Sequence, residues 1–396
     1  MPRIAVIGGG IGACSLAHGL AAKSAAASVH LFEMGRGTGG RAATRMTREK
    51  PGLRVDHGVP SFAAHTPAFT ALCERLVETN ALQRCGGGVE NGSAFGVLTA
   101  DGRFEAEDAA SAPNRYCAPE GKGINSLCDA LLRGGDGAAD APPIAHTSLS
   151  TMVSKVEPIP LSAGLQSACG AGGVGGWRLT SNKGEALGDF DWLVVTSTAI
   201  GHPRWRAAFG GEPPLVEAAA ALGDTALDAA LAALAPLSAK PVTACLLAYE
   251  AEAAAAVAAL PFFKARVDDD DTLARIVVQR VRADLTTVAL HPHPHPHPYP
   301  HPHPHTLTLT LTLTLTLTLT FTLTLTLTLT LTLTLTLTLT LTPTPTPTLE
   351  QVVLHSTHEF AHSCAHVYGA TSTAARIAGA SSDEGEERQP VIASSK

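Results

Sequence analysis

The sequence predicts an α/β fold whose N-terminal part is built on a parallel sheet. Three observations predict it. Residues 4–7 are a short apolar run of the kind found in buried strands. A glycine turn and an alanine-rich helical segment follow that run. A second apolar run, at 29–32, ends at Glu33. Strand, turn, helix and strand in this order are typical of a βαβ unit.

The turn after the first strand has the spacing of a dinucleotide fingerprint. Gly8, Gly10 and Ala13 occupy the small-residue positions of G-x-G-x-x-G/A, with Ile11 and Gly12 between them. Gly8 permits a tight turn, Gly10 lets a pyrophosphate approach the backbone, and Ala13 lets the helix pack on the sheet. The helix directs N–H groups and its positive dipole end at the phosphates. We predict that these five residues bind a dinucleotide cofactor.

Glu33 supports this prediction, because it follows the second strand 20 residues after Ala13. An acid at that position accepts hydrogen bonds from ribose hydroxyls. A 2′-phosphate would place a second negative charge beside it, so the residue favours NAD or FAD over NADP. The alternative is a strand–helix turn without a ligand. The flanking strands, the helix and Glu33 together favour binding.

A loop rich in arginine and glycine follows Glu33. Arg36 and Arg41 flank Gly37, Gly39 and Gly40, and an arginine fork forms bidentate, charge-assisted bonds with phosphate oxygens. We predict that Arg36, Gly40 and Arg41 contact the cofactor. A solvated basic loop is the alternative interpretation.

At this loop the chain resembles the flavin-dependent amine oxidase superfamily. Within it, the chain is most similar to the renalase-like branch and its plant-type FAD/NAD(P)-binding oxidoreductases. The segment RGTGGR matches the family's R-x-x-G-G-R, and Asp56, Gly58 and Phe62 match the D-x-G-x-x-x-F that follows. The resemblance implies that FAD is the cofactor, that RGTGGR contacts it, and that the backbone of Val153 contacts its adenine.

Less specific motifs extend the resemblance over roughly residues 3–280 and 350–367. The segment at 115–132 resembles aromatic-x-x-x-P-G-M-x-x-L. The segment FDWLVVT at 190–196 resembles the strand before a T-x-P-A, although the proline is missing here. The segment VVLHSTHEFAHSC at 352–364 resembles WVLHST-x-E-[FY]A.

The resemblance also implies the domain organisation. We expect an FAD-binding domain from 1–62 and about 145–200, and a mixed α+β substrate lobe from about 63–144 and 201–290. The lobe's sheet would cover the flavin.

The remaining segments are assigned from their composition. Residues 291–348 are a low-complexity insert of His-Pro, Thr-Leu and Thr-Pro repeats, and 349–396 are a family-like remnant with a polar tail. The alanine-rich stretch around 218–236 predicts one helix that does not span a membrane.

The insert allows two interpretations. Its histidines recur at every second residue and could chelate divalent metals, but proline keeps such a run extended and solvated. Three dipeptide repeats in succession between two family-like segments favour a retained intron translated as codons. A transcript without codons 291–348 would support this hypothesis, and a peptide detected from that stretch would contradict it.

The reaction implied by the resemblance is hydride transfer from a substrate carbon to flavin, which dioxygen then reoxidises. The substrate would be a small molecule, either an amine or a dihydronicotinamide such as NAD(P)H or its isomers. Because the cofactor carries this chemistry, no catalytic residue is predicted. His57 could serve as a base, but a structural role is the commoner one for a histidine in such a loop. His146 and His202 give weaker signals.

Two features leave alternatives open. In the family that the chain resembles, a C-terminal G-D segment and the helix start after it close the flavin site. No such segment occurs after Ala361, so the chain could be an inactive or truncated relative. The fingerprint alone would also suit an NAD-binding protein.

Composition excludes several other classes. The net charge of −7 offers no basic field to nucleic acid. The eight cysteines form no C-x-x-C pair, so we predict no metal site and a reducing compartment. We recognise no signal peptide, transit peptide or membrane span, and expect a cytoplasmic protein, with an organelle as the alternative.

Overall fold

In the computed structural model the described residues are 1–23, 27–46, 53–86, 92–108, 112–134, 143–161, 174–238, 240–249, 251–281 and 349–364. The strands are β1 (Arg3–Ile7), β2 (Ser28–Phe32), β3 (Arg45–Met46), β4 (Arg54–Val55), β5 (Ser61–Ala63), β6 (Gln83–Cys85), β7 (Ala94–Leu98), β8 (Phe104–Ala106), β9 (Arg115–Cys117), β10 (His146–Ser148), β11 (Val153–Pro160), β12 (Val174–Ser181), β13 (Ala186–Phe190), β14 (Trp192–Val195), β15 (Ala244–Tyr249), β16 (Phe262–Val267), β17 (Leu273–Val281) and β18 (Leu349–Ser356). The helices are α1 (Ile11–Lys23), α2 (Pro67–Glu78), α3 (Ser126–Leu132), α4 (Trp205–Phe209), α5 (Pro214–Leu222), α6 (Thr225–Leu234), α7 (Ala251–Ala258) and α8 (His358–Ser363).

The N-terminal sheet is parallel, with strand order β10-β2-β1-β14. Side chains alternate across β1, so each of its faces supports a separate core. Ile4 and Val6 pack against α1 and α3, whereas Ala5 and Ile7 pack against β11 and β12. The antiparallel strands β11, β12 and β13 form their own three-stranded sheet. The predicted α/β fold class is confirmed.

A six-stranded mixed sheet forms the second lobe, in the order β15-β18-β17-β16-β7-β8. Strand β18 lies inside this sheet and pairs antiparallel with both β15 and β17. Strand β18 belongs to the segment after the repeats. The sequence analysis had not predicted that this segment contributes a strand to the second lobe. All described residues belong to one compact unit. The predicted low-complexity insert, residues 291–348, lies outside the described residues.

The predicted single helix around 218–236 is wrong, because the chain turns in the middle of it. Helix α5 ends at Leu222, and Gly223 adopts a left-handed conformation with φ 64°. Asp224 then caps α6 by accepting from the N–H groups of Ala226 and Leu227 at 2.8 and 3.3 Å. Gly followed by Asp therefore ends one helix and starts the next. In the described part of the chain, no helix is long and apolar enough to cross a bilayer.

Candidate functional site

The glycine turn lies at the carboxyl ends of β1, β2 and β14. Gly8 adopts φ 105° and donates its N–H to the Phe32 carbonyl at 2.9 Å. Thr196, the residue after β14, donates its N–H to the Ile7 carbonyl at 3.0 Å. A Cβ on Gly8 would lie 2.7 Å from the Thr196 hydroxyl oxygen. The turn is thus fixed between two neighbouring strand ends, where ligands bind in open parallel sheets.

Helix α1 begins directly behind this turn. Ile11 and Gly12 form its first turn, so their N–H groups belong to the positive end of the helix dipole. Ala13 is fully buried in the core beneath the helix, as its predicted packing role requires. The structure therefore brings Gly8, Ile11, Gly12 and Ala13 together.

Glu33 is held against the turn by two backbone groups. Its carboxylate accepts the N–H of Gly9 and the N–H of Gly35, each at 2.5 Å. Each carboxylate oxygen can accept a further bond, so the acid can still receive a hydroxyl. Gly9 was not among the predicted site residues, although a Cβ there would lie 2.8 Å from the Glu33 Cβ. The run of three glycines was the only sequence signal for it.

The arginine–glycine loop packs directly on the glycine turn. Gly39 donates its N–H to the Gly9 carbonyl at 2.9 Å and forms a parallel bridge with Gly10. A Cβ on Gly40 would lie 3.2 Å from the Gly10 Cα, so the two backbones nearly touch. The side chains of Arg36 and Arg41 are exposed. The two predicted segments thus meet.

A cavity of about 640 Å³ opens beside the end of β2. Met34, which follows Glu33, lines it together with Met152 and Ser154, the two neighbours of Val153. Val153 itself packs into the core, with 4% of its surface exposed, and does not line the cavity. The remaining lining residues are Ser150, Asn182, Lys183, Trp205, Phe209, Gly210, Gly211, Glu212 and Glu217. This wall is partly aromatic and carries both charges.

The segment at 56–62 closes over the arginine–glycine loop. A Cβ on Gly58 would lie 2.3 Å from the Arg41 carbonyl oxygen, so this position allows no side chain. Asp56 is buried and accepts the Thr44 hydroxyl at 2.6 Å and the Ile124 N–H at 2.9 Å. Ile124 belongs to the segment at 115–132. Three of the family-like segments therefore share one set of contacts.

Burial raises the pKa of Asp56 to about 6, although its hydrogen bonds to Thr44 and Ile124 and the charge of Arg54 act in the opposite direction. In mildly acidic solution the Asp56 carboxyl group is therefore largely neutral, and its oxygen can still accept the two hydrogen bonds.

The second lobe forms hydrogen bonds with the segment at 56–62. Gln279 on β17 accepts the Asp56 N–H at 2.9 Å and donates to the Asp56 carbonyl at 2.7 Å. His355 on β18 bonds through Nε2 to the His57 carbonyl at 2.6 Å. Gln279 and His355 were not predicted as site residues. No local pattern marks them, because their partners lie more than 200 residues away in sequence.

The three histidines considered as bases differ in their surroundings. Burial lowers the pKa of His57, and the nearby charge of Arg45 adds to this effect. His146 Nδ1 lies 2.6 Å from His30 Nε2 on the neighbouring strand. His202 contacts the Leu237 carbonyl through Nε2 at 2.9 Å and accepts the Arg204 N–H at 3.1 Å. The contacts of His202 are those of a structural residue.

Among the described residues, no group of three or more His, Cys, Asp or Glu side chains could hold a metal ion.

Comparison with known proteins supports the N-terminal assignment. Residues 6–76 match the sequence profile of the NAD(P)-binding Rossmann-like domain. The predicted Rossmann-like domain is therefore confirmed for this part of the chain. The comparison with curated proteins found no significant match.

Two solved structures show distant similarity. One is the tetracycline destructase Tet(51), with a TM-score of 0.31 and 11% identity over 50% of this chain and 39% of that one. The other is described as a FAD-containing monooxygenase from Photorhabdus luminescens subsp. laumondii TTO1, with a TM-score of 0.35 and 15% identity over 71% and 57% of the two chains. This chain thus spans less than two thirds of either structure, and similarity this low carries no argument about its activity.

Proposed function

We propose that the chain is a FAD-dependent oxidoreductase of the amine oxidase type, similar to the renalase-like branch. Its substrate would be a small amine or a dihydronicotinamide-type molecule, with dioxygen as the final electron acceptor. FAD, when bound, supplies the hydride acceptor.

The convergence of the family-like segments is the observation that carries this proposal. The loop at 36–41 packs on the glycine turn, and the segment at 56–62 packs on that loop. The segments at 115–132 and 352–364 both bond to the 56–62 segment, through Asp56 and His57 respectively. These contacts, made by segments far apart in sequence, support one shared site beside the glycine turn.

Each predicted cofactor residue has a place in this proposal. The glycine turn and the first turn of α1 would bind the pyrophosphate, and Glu33 would bind the ribose. Arg36, Gly40 and Arg41 would contact the phosphates, and the backbone of Val153 would contact the adenine beside the cavity. The buried polar contacts around Asp56 keep the covering segment in place.

NAD binding is the second candidate function, because the profile that matches residues 6–76 is that of an NAD(P)-binding domain. The exposed arginine pair favours FAD instead, since it would add phosphate contacts beyond the fingerprint itself.

The visible absorption spectrum of the full-length protein tests the proposal, recorded as isolated and again after incubation with FAD and desalting. We expect flavin bands that bleach when an amine or a dihydronicotinamide is added without oxygen. When air is admitted, the bands should return and hydrogen peroxide should form. Protein that stays colourless and shows energy transfer from tryptophan to bound NADH would favour the NAD-binding function. Bound flavin that no such substrate reduces would favour an inactive relative.

A further inference from the structure

Two basic side chains meet where β9 lies against the six-stranded sheet. Lys264 on β16 is directly paired with Phe95 on β7. The guanidinium of Arg115, on β9, lies 4.2 Å from the centre of the Phe95 ring. Directly paired residues point to the same side of a sheet, so Lys264 and Arg115 are both neighbours of this ring.

A third basic side chain, that of Arg275, comes from the next strand. Arg266, two residues after Lys264, is directly paired with Arg275 on β17. Residues two apart in a strand point to the same side, so Lys264 and Arg275 are diagonal neighbours on one face of the sheet. Long side chains reach each other from such positions. Together with Arg115 they form a basic cluster.

The basic cluster carries more positive charge than the nearby acids neutralise. Arg115 forms an ion pair with Glu107 at 2.7 Å. Among the described residues, neither Lys264 nor Arg275 forms an ion pair. Both side chains are half-buried, so solvent screens their repulsion less than on an open surface. Neighbouring cations without a counter-charge cost stability, which a bound anion would restore.

A cavity of about 180 Å³ connects the basic cluster with solvent. Phe95 and Arg115 line it. The charged residues Arg84 and Glu107 line it too, each within an ion pair. Cavities that hold drug-sized ligands measure about 300–1,000 Å³. This smaller cavity therefore suits a single oxyanion rather than a nucleotide.

The electrostatic effects on Lys264 agree with this arrangement. Burial lowers the pKa of Lys264, and the positive charges of Arg275 and Arg115 lower it further. Cys85, which also lines the cavity, and Glu107 act in the opposite direction. Lys264 is thus within electrostatic reach of two residues of the cavity wall. An anion bound there would stabilise its charged form.

We infer that the basic cluster and the cavity beside it form a binding site for a small oxyanion of the phosphate class. Arg115 and Arg275 would bind its oxygens through forked, charge-assisted hydrogen bonds, and Lys264 would bind it as a point charge. None of these residues belongs to the glycine turn or to the arginine–glycine loop. The inference therefore goes beyond the proposed function and does not depend on it.

Trace labelling of lysines with acetic anhydride tests the site in the full-length protein, with digestion and mass spectrometry as the readout. Only a neutral amine reacts, and a bound anion raises the pKa of Lys264 and shields it. Phosphate should therefore lower the labelling of Lys264 about threefold or more, relative to chloride at equal ionic strength. Lys155, exposed and paired with Glu157, should not change and is the internal control. Equal labelling of Lys264 in both salts overturns the inference.

Adenosine monophosphate distinguishes a free anion from the phosphate group of a larger ligand. The small cavity predicts that inorganic phosphate protects Lys264 at lower concentrations than the nucleotide does. Protection by the nucleotide at the lower concentration would overturn the assignment to a small anion.

Urea unfolding gives a second, independent test. Lys264→Gln removes an unpaired charge, so in chloride this variant should be at least as stable as the wild type. Phosphate should raise the urea midpoint of the wild type more than that of Lys264→Gln or Arg275→Gln, because only the intact cluster binds it. Lys155→Gln is the matched control and should respond as the wild type does, which separates binding from the general stabilising effect of phosphate. Equal midpoint shifts in all four proteins would contradict the inference.

Discussion

At the level of single residues, Gly9 and Glu33 pack so closely that the glycine turn leaves no room for a side chain at position 9. We predict that Gly9→Ala weakens cofactor binding about tenfold or more, roughly 1.4 kcal/mol. Its Cβ would come within 2.8 Å of Glu33 and displace the carboxylate that we propose binds the ribose. Titration of the apoprotein with FAD, and with ADP if FAD does not bind, measures the loss.

Gly19→Ala is the matched control, since Gly19 lies in the same α1 and a Cβ there would meet nothing within 4 Å. This variant should bind normally and gain up to about 1 kcal/mol of stability from helix propensity. Equal binding by both variants would contradict the assigned role of Glu33.

Asp56 gives a pH-dependent prediction. Its folded-state pKa of about 6 lies above its ordinary value of 3.8. The folded protein therefore binds this proton more tightly than the unfolded chain, and stability falls as pH rises between roughly 4 and 6. Asp56→Asn keeps the acceptor oxygen for Thr44 and Ile124 but cannot ionise. We expect equal stabilities near pH 4 and a gain of up to about 3 kcal/mol for the variant at pH 7.

Urea unfolding of wild-type protein and Asp56→Asn at both pH values measures this difference. The histidines contribute equally to the two proteins and cancel in the comparison. A stability difference that does not change between pH 4 and pH 7 would show that the carboxyl group is not strained by burial.

Sequence reasoning predicted those residues of the candidate site that lie in a local pattern. Gly8, Gly10, Ala13 and Glu33 follow from fixed spacings, and the structure brings them together at one turn. Gln279 and His355 could not be predicted in this way. Nothing in the sequence around an isolated glutamine or histidine in a strand indicates a hydrogen-bonding partner that lies more than 200 residues away.

At the level of elements, β17 and β18 present two glutamines side by side. Gln279 and Gln351 are directly paired across the strands, so their side chains share one face of the sheet. Gln279 forms two hydrogen bonds with the backbone of Asp56. The Gln351 amide is fully buried, and neither of its polar atoms has a hydrogen-bonding partner among the described residues.

These positions predict opposite effects of the same substitution. Gln279→Leu leaves the buried N–H and carbonyl of Asp56 without partners and should cost about 3 kcal/mol. Gln351→Leu removes an unpaired buried amide and should be neutral or stabilising by about 1 kcal/mol. Denaturant unfolding of the apoproteins compares them. Similar losses in both variants would mean that side-chain shape, rather than hydrogen bonding, determines stability on this face.

The elements also show where pattern reasoning fails. Apolar runs identified β1, β2 and β14. Residues 4–7 of β1 are buried on both faces, whereas β14 begins with the exposed Trp192 and is otherwise only partly buried. The helix predicted around 218–236 was broken by two residues, Gly223 and Asp224, whose capping chemistry outweighed the helix propensity of the surrounding alanines.

At the level of the whole molecule, the long segment 282–348 connects two strand ends that are already paired. Val281, the last residue of β17, is in register with Leu349, the first residue of β18. A two-residue Asn-Gly turn can join such ends. Replacing 282–348 by this turn should preserve the fold and stabilise it by roughly 3 kcal/mol, because closing a shorter loop costs less entropy.

Circular dichroism and urea unfolding test this replacement. A chain with a scrambled insert of the same length is the control and should match the wild-type stability, since only loop length enters the argument. A shortened chain that does not fold would show that the insert contributes contacts of its own.

The position of β18 inside its sheet has a consequence for how the protein is made. Strands β15 and β17 leave the ribosome first, each with an edge that only β18 will cover. Translation at about 5–20 residues per second then needs roughly 3–13 s to pass through 282–348. During that time the nascent chain exposes two unpaired strand edges, which are sites of aggregation. A chain released before residue 349 would keep those edges open.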